Sequence, residues 1–336
     1  MITKLLLATW ALPLFATASD PSEWAVADLP GLQEPINFKH YSGYLNIANG
    51  GALHFWFMES QRSPSEDPVI LWLSGGPGCS SLIAAVAEQG AFRVGYQGIN
   101  MTVNPYSWNK VANIIFLESP VGVGFSYDLS DNYTTNDTKT THDNYLAVLK
   151  FFDNFENFRQ NDFYIMGESY AGVYVPLLVK RVLQDPHGIN LKGYAIGNGA
   201  MDEQLIGNSI VFFAYYHGLV SSSSDMTYNQ QYPTMREVVQ ELAETGGLKA
   251  LIYNGDVDMA CNFLGDEWFV RSLGYEPTSE YRMWRVGSVI AGFVQEYEKN
   301  ITFVTVKLNE IRPVEMQIME YILFRPDLMF SSTALM

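Results

Sequence analysis

Short apolar runs alternate with amphipathic segments along most of the chain. The runs have the length and residue types of buried strands, and they cover residues 69–73, 112–117, 163–166, 191–196, 248–253 and 301–306. Residues 141–155 and 235–245 instead carry apolar side chains at helical spacing, while residues 41–47 and 52–59 have the pattern of a hairpin. This alternation predicts an α/β protein with a mostly parallel central sheet and helices on both faces.

The run at 163–166 leads into the segment GESYAG at residues 167–172, and an amphipathic helix follows. Small residues two positions before and two after Ser169 permit a tight, strained turn between strand and helix, which lifts the serine hydroxyl clear of the backbone. The alternative is a chance Gly-x-Ser in a loop, but the flanking strand and helix argue against it. We therefore interpret Ser169 as the nucleophile of an elbow.

A glycine-rich loop, SGGPGCSS at residues 74–81, follows the strand at 69–73. Such a loop presents backbone N–H groups that suit an anion. A phosphate site is the alternative, yet no Lys-[ST] pair and no acidic residue at dinucleotide spacing follow the glycines. Beside a serine elbow, the loop is expected to form half of an oxyanion hole, and the N–H of Tyr170 the other half.

Composition narrows the classes of partner. The chain has 336 residues, of which 48% are hydrophobic and 14% aromatic, so it can form one large α/β domain and is too apolar to be disordered. Its formal net charge of -16 argues against nucleic acid or an anionic membrane as a partner. No motif indicates a metal or a cofactor, and we expect neither.

Residues 1–18 have the pattern of a signal peptide: Lys4, an apolar run, and the small-x-small site at residues 16–18. The run is too short to span a bilayer and contains Pro13, which disfavours the alternative of a membrane anchor. N-x-[ST] sequons provide candidate glycosylation sites at Asn100, Asn132, Asn136 and Asn300. We expect a protein of the secretory pathway, lysosomal or extracellular, with no membrane span.

Several long motifs occur in a fixed order: WLSGGPGCSS at 72–81, NPYSWN at 104–109, ESPVGVGFSY at 118–127, the elbow at 167–172, and YNGDVDMACN at 253–262. In these motifs the chain resembles the serine carboxypeptidase family, exopeptidases of the α/β-hydrolase fold that include cathepsin A-like lysosomal carboxypeptidases. The resemblance spans about residues 41–307. It implies an α/β-hydrolase domain over residues 19–307 and leaves 308–336 as an unmatched tail.

The resemblance assigns roles to single residues. It implies that Ser169 is the nucleophile, that Asp258 is the triad acid, and that the N–H groups of Gly76 and Tyr170 are the oxyanion donors. Asp258 lies just past the strand at 248–253, so its carboxylate can reach the sheet edge that carries the elbow. Without the family resemblance, however, Asp258 would be better interpreted as a solvated turn residue.

The resemblance also implies a site for the free C-terminal carboxylate of a substrate. Its residues are Ser74, Gly75, Glu88 and Glu168, with Ser74 standing where the family commonly has asparagine. Two carboxyls in close contact cannot both ionise cheaply, so one is expected to be protonated and to donate a hydrogen bond to the substrate, which favours acidic pH.

The chain departs from the family at the catalytic base. The family places its histidine directly after the strand at 301–306, but here the chain continues KLNEIRP, and no histidine follows Asp258. The chain's histidines all precede the acid: His40, His54, His142, His187 and His217. The triad is therefore incomplete, and the residues after Lys307 belong either to a diverged terminus or, as we favour, to a truncated splice form or faulty gene model.

A second departure is the region of about 220–247, where the family has a larger, helical, disulfide-bearing cap. A strongly shortened cap should leave the site more open to water. The resemblance pairs the position of Cys79 with a cysteine near that cap and makes the position of Cys261 a free thiol lining the pocket. We therefore expect two unpaired thiols, although two cysteines in a secreted chain could also form one disulfide.

Three functions remain. The first, which we adopt, is a serine-type carboxypeptidase that releases C-terminal residues from peptides and proteins by acyl-enzyme chemistry, with low activity expected of a chain that lacks the base. The second is an inactive relative that binds peptides or proteins, and the third is an acyltransferase of the same family. The expected partners are the C-termini of peptides or proteins, and a homodimer is also considered.

Overall fold

A main sheet of eleven strands runs through the computed structural model, which describes residues 21–95, 100–217, 234–286 and 288–307. A separate two-stranded ribbon is formed by β4 and β5. In chain order the strands are β1 His40–Asn46, β2 Gly51–Met58, β3 Val69–Leu73, β4 Phe92–Val94, β5 Met101–Val103, β6 Asn113–Leu117, β7 Tyr127–Asp128, β8 Phe163–Ser169, β9 Leu191–Gly199, β10 Lys249–Gly255, β11 Arg282–Val286, β12 Val289–Tyr297 and β13 Ile301–Val306.

The strands of the main sheet follow the order β1-β2-β6-β3-β8-β9-β10-β13-β12-β11, and β7 pairs with β2. From β6 to β13 each neighbouring pair is parallel, whereas β1, β2 and β7 at one edge and β12 and β11 at the other pair antiparallel. The predicted α/β class with a parallel central sheet is confirmed.

The α-helices connect and cover these strands. They are α1 Leu82–Ala87, α2 Asp137–Asn154, α3 Ala171–Gln184, α4 Glu203–Tyr216, α5 Arg236–Glu244 and α6 Phe263–Ser272. Helix α2 begins earlier than the apolar spacing predicted because Asn136 caps it, its side chain accepting the N–H of Lys139. Within the described ranges, no helix is both long and apolar enough to cross a membrane.

Buried side chains pack on both faces of the sheet. One face is covered by α2, α3, α5 and α6, and the other by α1 and the segment around Trp108. Phe57 of β2, fully buried, lies among the aromatic rings of the first face, with ring centroids 5.0 Å from Phe151, 5.1 Å from Phe155 and 5.2 Å from Phe158. These interlocking rings fix the helices of that face against the sheet.

The carboxyl ends of the parallel strands place the sequence motifs at one edge. The glycine-rich loop follows β3, the 118–127 segment follows β6, the elbow ends β8, and the YNGDVDMACN segment overlaps the end of β10. Because parallel strands all end at the same edge, distant parts of the chain meet there.

Phe57→Ala should cost about 3–5 kcal/mol of stability, because it removes a fully buried ring and leaves a cavity between other rings. The matched control is Phe125→Ala, which truncates a ring that is 64% exposed and should change the stability by no more than about 0.5 kcal/mol. Urea unfolding of the three proteins measures both values, and equal losses in the two variants would contradict this account of the core.

Candidate active site

The elbow has the strained geometry that the sequence predicted. Ser169 ends β8 with φ 57, a left-handed conformation that non-glycine residues rarely adopt. A Cβ on Gly167 would lie 2.3 Å from the carbonyl oxygen of Leu73 and 2.6 Å from the Cβ of Ala171, so the turn closes only around glycine. The Ser169 carbonyl accepts the N–H of Ala200 at 2.8 Å, which ties the strained residue to the end of β9.

The glycine-rich loop contacts the elbow backbone directly. A Cβ on Gly75 would lie 2.3 Å from the backbone nitrogen of Tyr170 and 2.8 Å from the Cβ of Ser169. Gly76 has φ 108, which glycine adopts without steric cost. The two predicted oxyanion donors, the N–H groups of Gly76 and Tyr170, therefore belong to backbone segments packed against each other.

Asn198 at the end of β9 holds the loop that carries the predicted acid. Its Nδ2 donates to Oδ2 of Asp258 at 2.9 Å and its Oδ1 accepts the N–H of Gly255 at 3.1 Å. Oδ1 of Asp258 accepts the N–H of Ala260 at 2.8 Å. Sequence reasoning did not single out Asn198, although a Gly-Asn-Gly at a strand end was a signal that could have found it.

Cys261 lies close to the predicted nucleophile and the predicted acid. Ser169 and the charge of Asp258 both influence the pKa of its thiol. Burial raises the pKa of the Cys261 thiol to about 12, with the charges of Asp266 and Asp258 acting in the same direction. Both cysteines are free, Cys79 being exposed, so the expectation of two unpaired thiols is confirmed.

Asp266 of α6 is a fully buried carboxyl beneath this loop. Its Oδ2 accepts the Gly199 N–H at 3.0 Å. Burial raises the pKa of Asp266 to about 8, although hydrogen bonds from Gly199 and Asn254 act the other way. The sequence carried no signal for it, because an acidic residue on a helix is usually solvated.

The residues predicted to bind a substrate carboxylate are Ser74 and Gly75 of the glycine-rich loop, Glu88 after α1 and Glu168 of β8. Ser74 is buried, and its hydroxyl accepts from Nε1 of Trp72 at 3.2 Å. Burial raises the pKa of Glu88, partly offset by the charge of Arg93. Glu168 is half-buried, next to the nucleophile on β8. Burial is thus the main cause of the raised pKa of Glu88, whereas the expectation from the sequence had been contact between two carboxyls.

None of the chain's five histidines, all of them within the described residues, hydrogen-bonds Ser169 or Asp258. His142 is exposed on α2. The others have partners elsewhere: Trp56 for His40, Ser42 and Glu118 for His54, Asp185 for His187 and the Phe213 carbonyl for His217. The incomplete triad inferred from the sequence is therefore not repaired by an earlier histidine.

The end of β13 lies beside the acid loop. Gly255 pairs with Val306 in the parallel register, and the Val306 carbonyl accepts the N–H of Asp256 at 2.9 Å. The backbone of Lys307 is held by the Ala291 carbonyl at 2.8 Å. This is the place where the resemblance puts the histidine.

Some predictions lie outside the described residues: the signal peptide at 1–18, the tail at 308–336 and the first half, 220–233, of the shortened cap at about 220–247. The cap's helix at 235–245 is present as α5. All four sequon asparagines are exposed: Asn100, Asn132, Asn136 and Asn300.

A family model described as serine carboxypeptidase matches residues 30–231 and 222–309 of the chain. The chain belongs to the serine carboxypeptidase family. The mouse (Mus musculus) lysosomal protective protein is 31% identical to this family member over 441 aligned positions, which cover 90% of this chain and 92% of that protein. Those positions outnumber the 336 residues here, so that relative carries segments with no counterpart in this chain.

Other relatives match over a shorter span. Serine carboxypeptidase ctsa-4.1 of Caenorhabditis elegans is 46% identical over 220 residues, and the match covers 65% of this chain and only 46% of that protein. In fold, this carboxypeptidase-family chain is similar to Kex1(delta)p, a prohormone-processing carboxypeptidase from Saccharomyces cerevisiae, with a TM-score of 0.81 and 20% identity over 94% of this chain and 99% of that one. That likeness confirms the α/β-hydrolase-type fold.

At pH 8 the folded protein should react rapidly with one equivalent of a thiol reagent, because Cys79 is exposed whereas the Cys261 thiol, with a pKa of about 12, stays protonated. Denaturation without reductant should make the Cys261 thiol react as well. Cys79→Ser should remove the rapid reaction, and finding no thiol after denaturation would show a disulfide between the two cysteines.

The free energy of unfolding should fall as pH rises from 5 to 8 because of Asp266. Its pKa is about 8 in the fold against a reference value of 3.8, so the folded state keeps a proton that the unfolded chain has lost. The slope contributed is up to about 1.4 kcal/mol per pH unit. Asp266→Asn, which keeps an acceptor for the Gly199 N–H, should remove this slope.

Urea unfolding at several pH values tests this expectation. The exposed Asp131 provides the control, since Asp131→Asn should leave the pH dependence of the natural chain unchanged. Parallel curves for Asp266→Asn and the natural chain would mean that Asp266 ionises in the fold as it does in water.

Proposed function

We propose that this protein is a serine-type carboxypeptidase that releases C-terminal residues from peptides and proteins through an acyl-enzyme on Ser169. The observation that carries the proposal is the packing of the glycine-rich loop against the elbow. Gly75, next to Gly76, lies against both the Tyr170 nitrogen and the Cβ of the strained Ser169, which supports an oxyanion hole of the kind that acyl transfer requires.

The substrate class follows from the carboxyls near that volume. A peptide's C-terminal carboxylate would be bound by Glu88 and Glu168, with Ser74 and Gly75 at the loop. Since burial raises the pKa of Glu88, this carboxyl can keep its proton and donate to the substrate anion. Binding should weaken when pH rises through that raised pKa.

The described residues include no evident base to take the proton of Ser169. Asp258 is held by Asn198 as a triad acid should be, but no imidazole lies between it and Ser169 among the described residues. An enzyme that loses a triad member keeps roughly 10³–10⁴-fold acceleration over water from its oxyanion hole and binding alone. We therefore assign slow turnover to this chain.

A second candidate function is binding of peptide C-termini without turnover. The lack of a histidine hydrogen-bonded to Ser169 among the described residues favours it. The nearby Cys261 thiol, with a pKa raised to about 12, stays protonated and cannot accept the serine proton as a base does. A fluorophosphonate probe distinguishes the two functions, since labelling of Ser169 requires an activated hydroxyl.

We further propose that the protein enters the secretory pathway and reaches the lysosome or the cell exterior. The exposed sequon asparagines support glycosylation, and Asn136 can carry a glycan while its Oδ1 still caps α2. The name of the lysosomal protective protein points to the same route for that relative.

Replacing residues 308–311 by Gly-Ala-Gly-His should raise hydrolysis of a C-terminally unblocked dipeptide near pH 5 by at least about 10²-fold, because the new base would lie at the end of β13 beside the acid loop. The matched control carries Gly-Ala-Gly-Asn at the same positions and should remain near background.

Ser169→Ala in the histidine graft should abolish the gain, since the nucleophile and the base act as a unit. If the natural chain already matched the graft in rate, with Ser169 essential, another group would serve as the base and our account of the site would be wrong.

A further inference from the structure

A groove of about 770 Å³ opens beside the glycine-rich loop. Pro77 and Gly78 form one wall, residues 120–127 form the other, and Tyr133 and Thr135 close one end. None of its lining residues carries a charge, although the whole chain has a net charge of -16. The groove therefore suits an apolar occupant.

Aromatic rings face solvent in this groove. Phe125 is 64% exposed and Tyr133 is 47% exposed, and both line the groove. Tyr133 rests on Gly122, where a Cβ would lie 2.8 Å from the ring. Both rings therefore keep a large part of their surface accessible to a ligand.

A single buried carboxylate holds both walls in place. Glu118 is fully buried, accepts the hydroxyl of Ser80 from the glycine-rich loop, and accepts the N–H of Phe125 at 2.8 Å. His54 lies 3.0 Å from the same carboxylate, and its ring meets the ring of Phe125 edge-on at 5.3 Å. Because the walls share one anchor, the groove exists before a ligand arrives.

Two residues of the groove are the direct chain neighbours of a predicted oxyanion donor. Pro77 and Gly78 directly follow Gly76, and the hydroxyl of Tyr170 donates to Asp137 at 3.1 Å, two positions after Thr135 at the groove's end. An extended peptide advances roughly 3.3 Å per residue. A peptide whose penultimate carbonyl occupies the oxyanion donors can therefore reach the groove within a few residues.

The C-terminal end of such a peptide lies elsewhere. None of the residues proposed to hold its carboxylate, Ser74, Gly75, Glu88 and Glu168, lines the groove. The groove is left for the part of the peptide that precedes the scissile bond.

We propose that this groove binds the peptide residues on the N-terminal side of the scissile bond, and that Phe125 and Tyr133 select an aromatic side chain there. The inference rests on the proposed function, since it assumes that a peptide C-terminus occupies the elbow. Ring-on-ring contact and the absence of charge in the groove provide the selectivity.

Fluorescently labelled alanine hexapeptides with a free C-terminus test the proposal by anisotropy on the full chain. A single phenylalanine is moved through the third, fourth and fifth positions from the C-terminus. At one of these positions it should tighten binding by about tenfold, as expected for burying one ring against another. Phe125→Ala and Tyr133→Ala should each remove most of this gain.

Met283→Ala, which truncates an equally exposed apolar residue on the distant edge strand β11, should leave the preference intact. Phe125→Leu should retain part of it. No preference at any position, a preference that survives both ring deletions, or no binding of any hexapeptide would overturn the inference. A dimer that Phe125→Ala dissociates, without peptide selectivity, would assign the groove to a second copy and overturn it as well.

Amidated peptides separate this inference from the proposed function. If amidation weakens binding but phenylalanine is preferred at no position, the inference about the groove is wrong and the proposed carboxylate site is supported. A preference dependent on Phe125 together with indifference to amidation would support the groove and contradict the carboxypeptidase site.

Discussion

The site depends on the close approach of two backbones, the loop after β3 and the elbow after β8. At Gly75 a single added carbon would lie 2.3 Å from the nitrogen of Tyr170, so the approach is possible only without a side chain. Gly167 lies so close to the Leu73 carbonyl that a side chain is excluded there as well. These contacts bring N–H groups from two distant stretches of chain together and keep them fixed before any substrate is present, which is the condition for stabilising an oxyanion.

Much of this arrangement could be predicted from the sequence. The strands at Val69–Leu73 and Ile301–Val306 have the predicted bounds, because unbroken apolar runs between polar loops mark buried parallel strands clearly. The edge hairpin of β11 and β12 escaped prediction. Its strands mix arginine, glutamine and glutamate with apolar residues, and a register shift after Trp284 interrupts the pattern.

The candidate site was likewise predictable only in part. Motifs located the predicted nucleophile, the glycine-rich loop and the predicted acid, since glycines at close approaches leave a sequence signature. Asn198 and Asp266 act through contacts between residues far apart in the sequence. Asn198 donates to Asp258 at 2.9 Å, and Asp266 accepts the N–H of Gly199 at 3.0 Å. No local sequence pattern predicts such partners. Similarly, the buried Glu118 joins segments far apart in the chain, so its anchoring role is visible only in three dimensions.

The order of strands in the sheet separates peptide binding from proton transfer in space. Residues that would hold a peptide lie on or beside β6, β3 and β8, whereas the acid and the place for a base lie at β10 and β13, on the opposite side of the elbow. A defect at β13 therefore leaves the holding side untouched. If cleavage is as slow as we propose, release competes with it successfully, and the lifetime of a bound peptide would be set mainly by its dissociation rate.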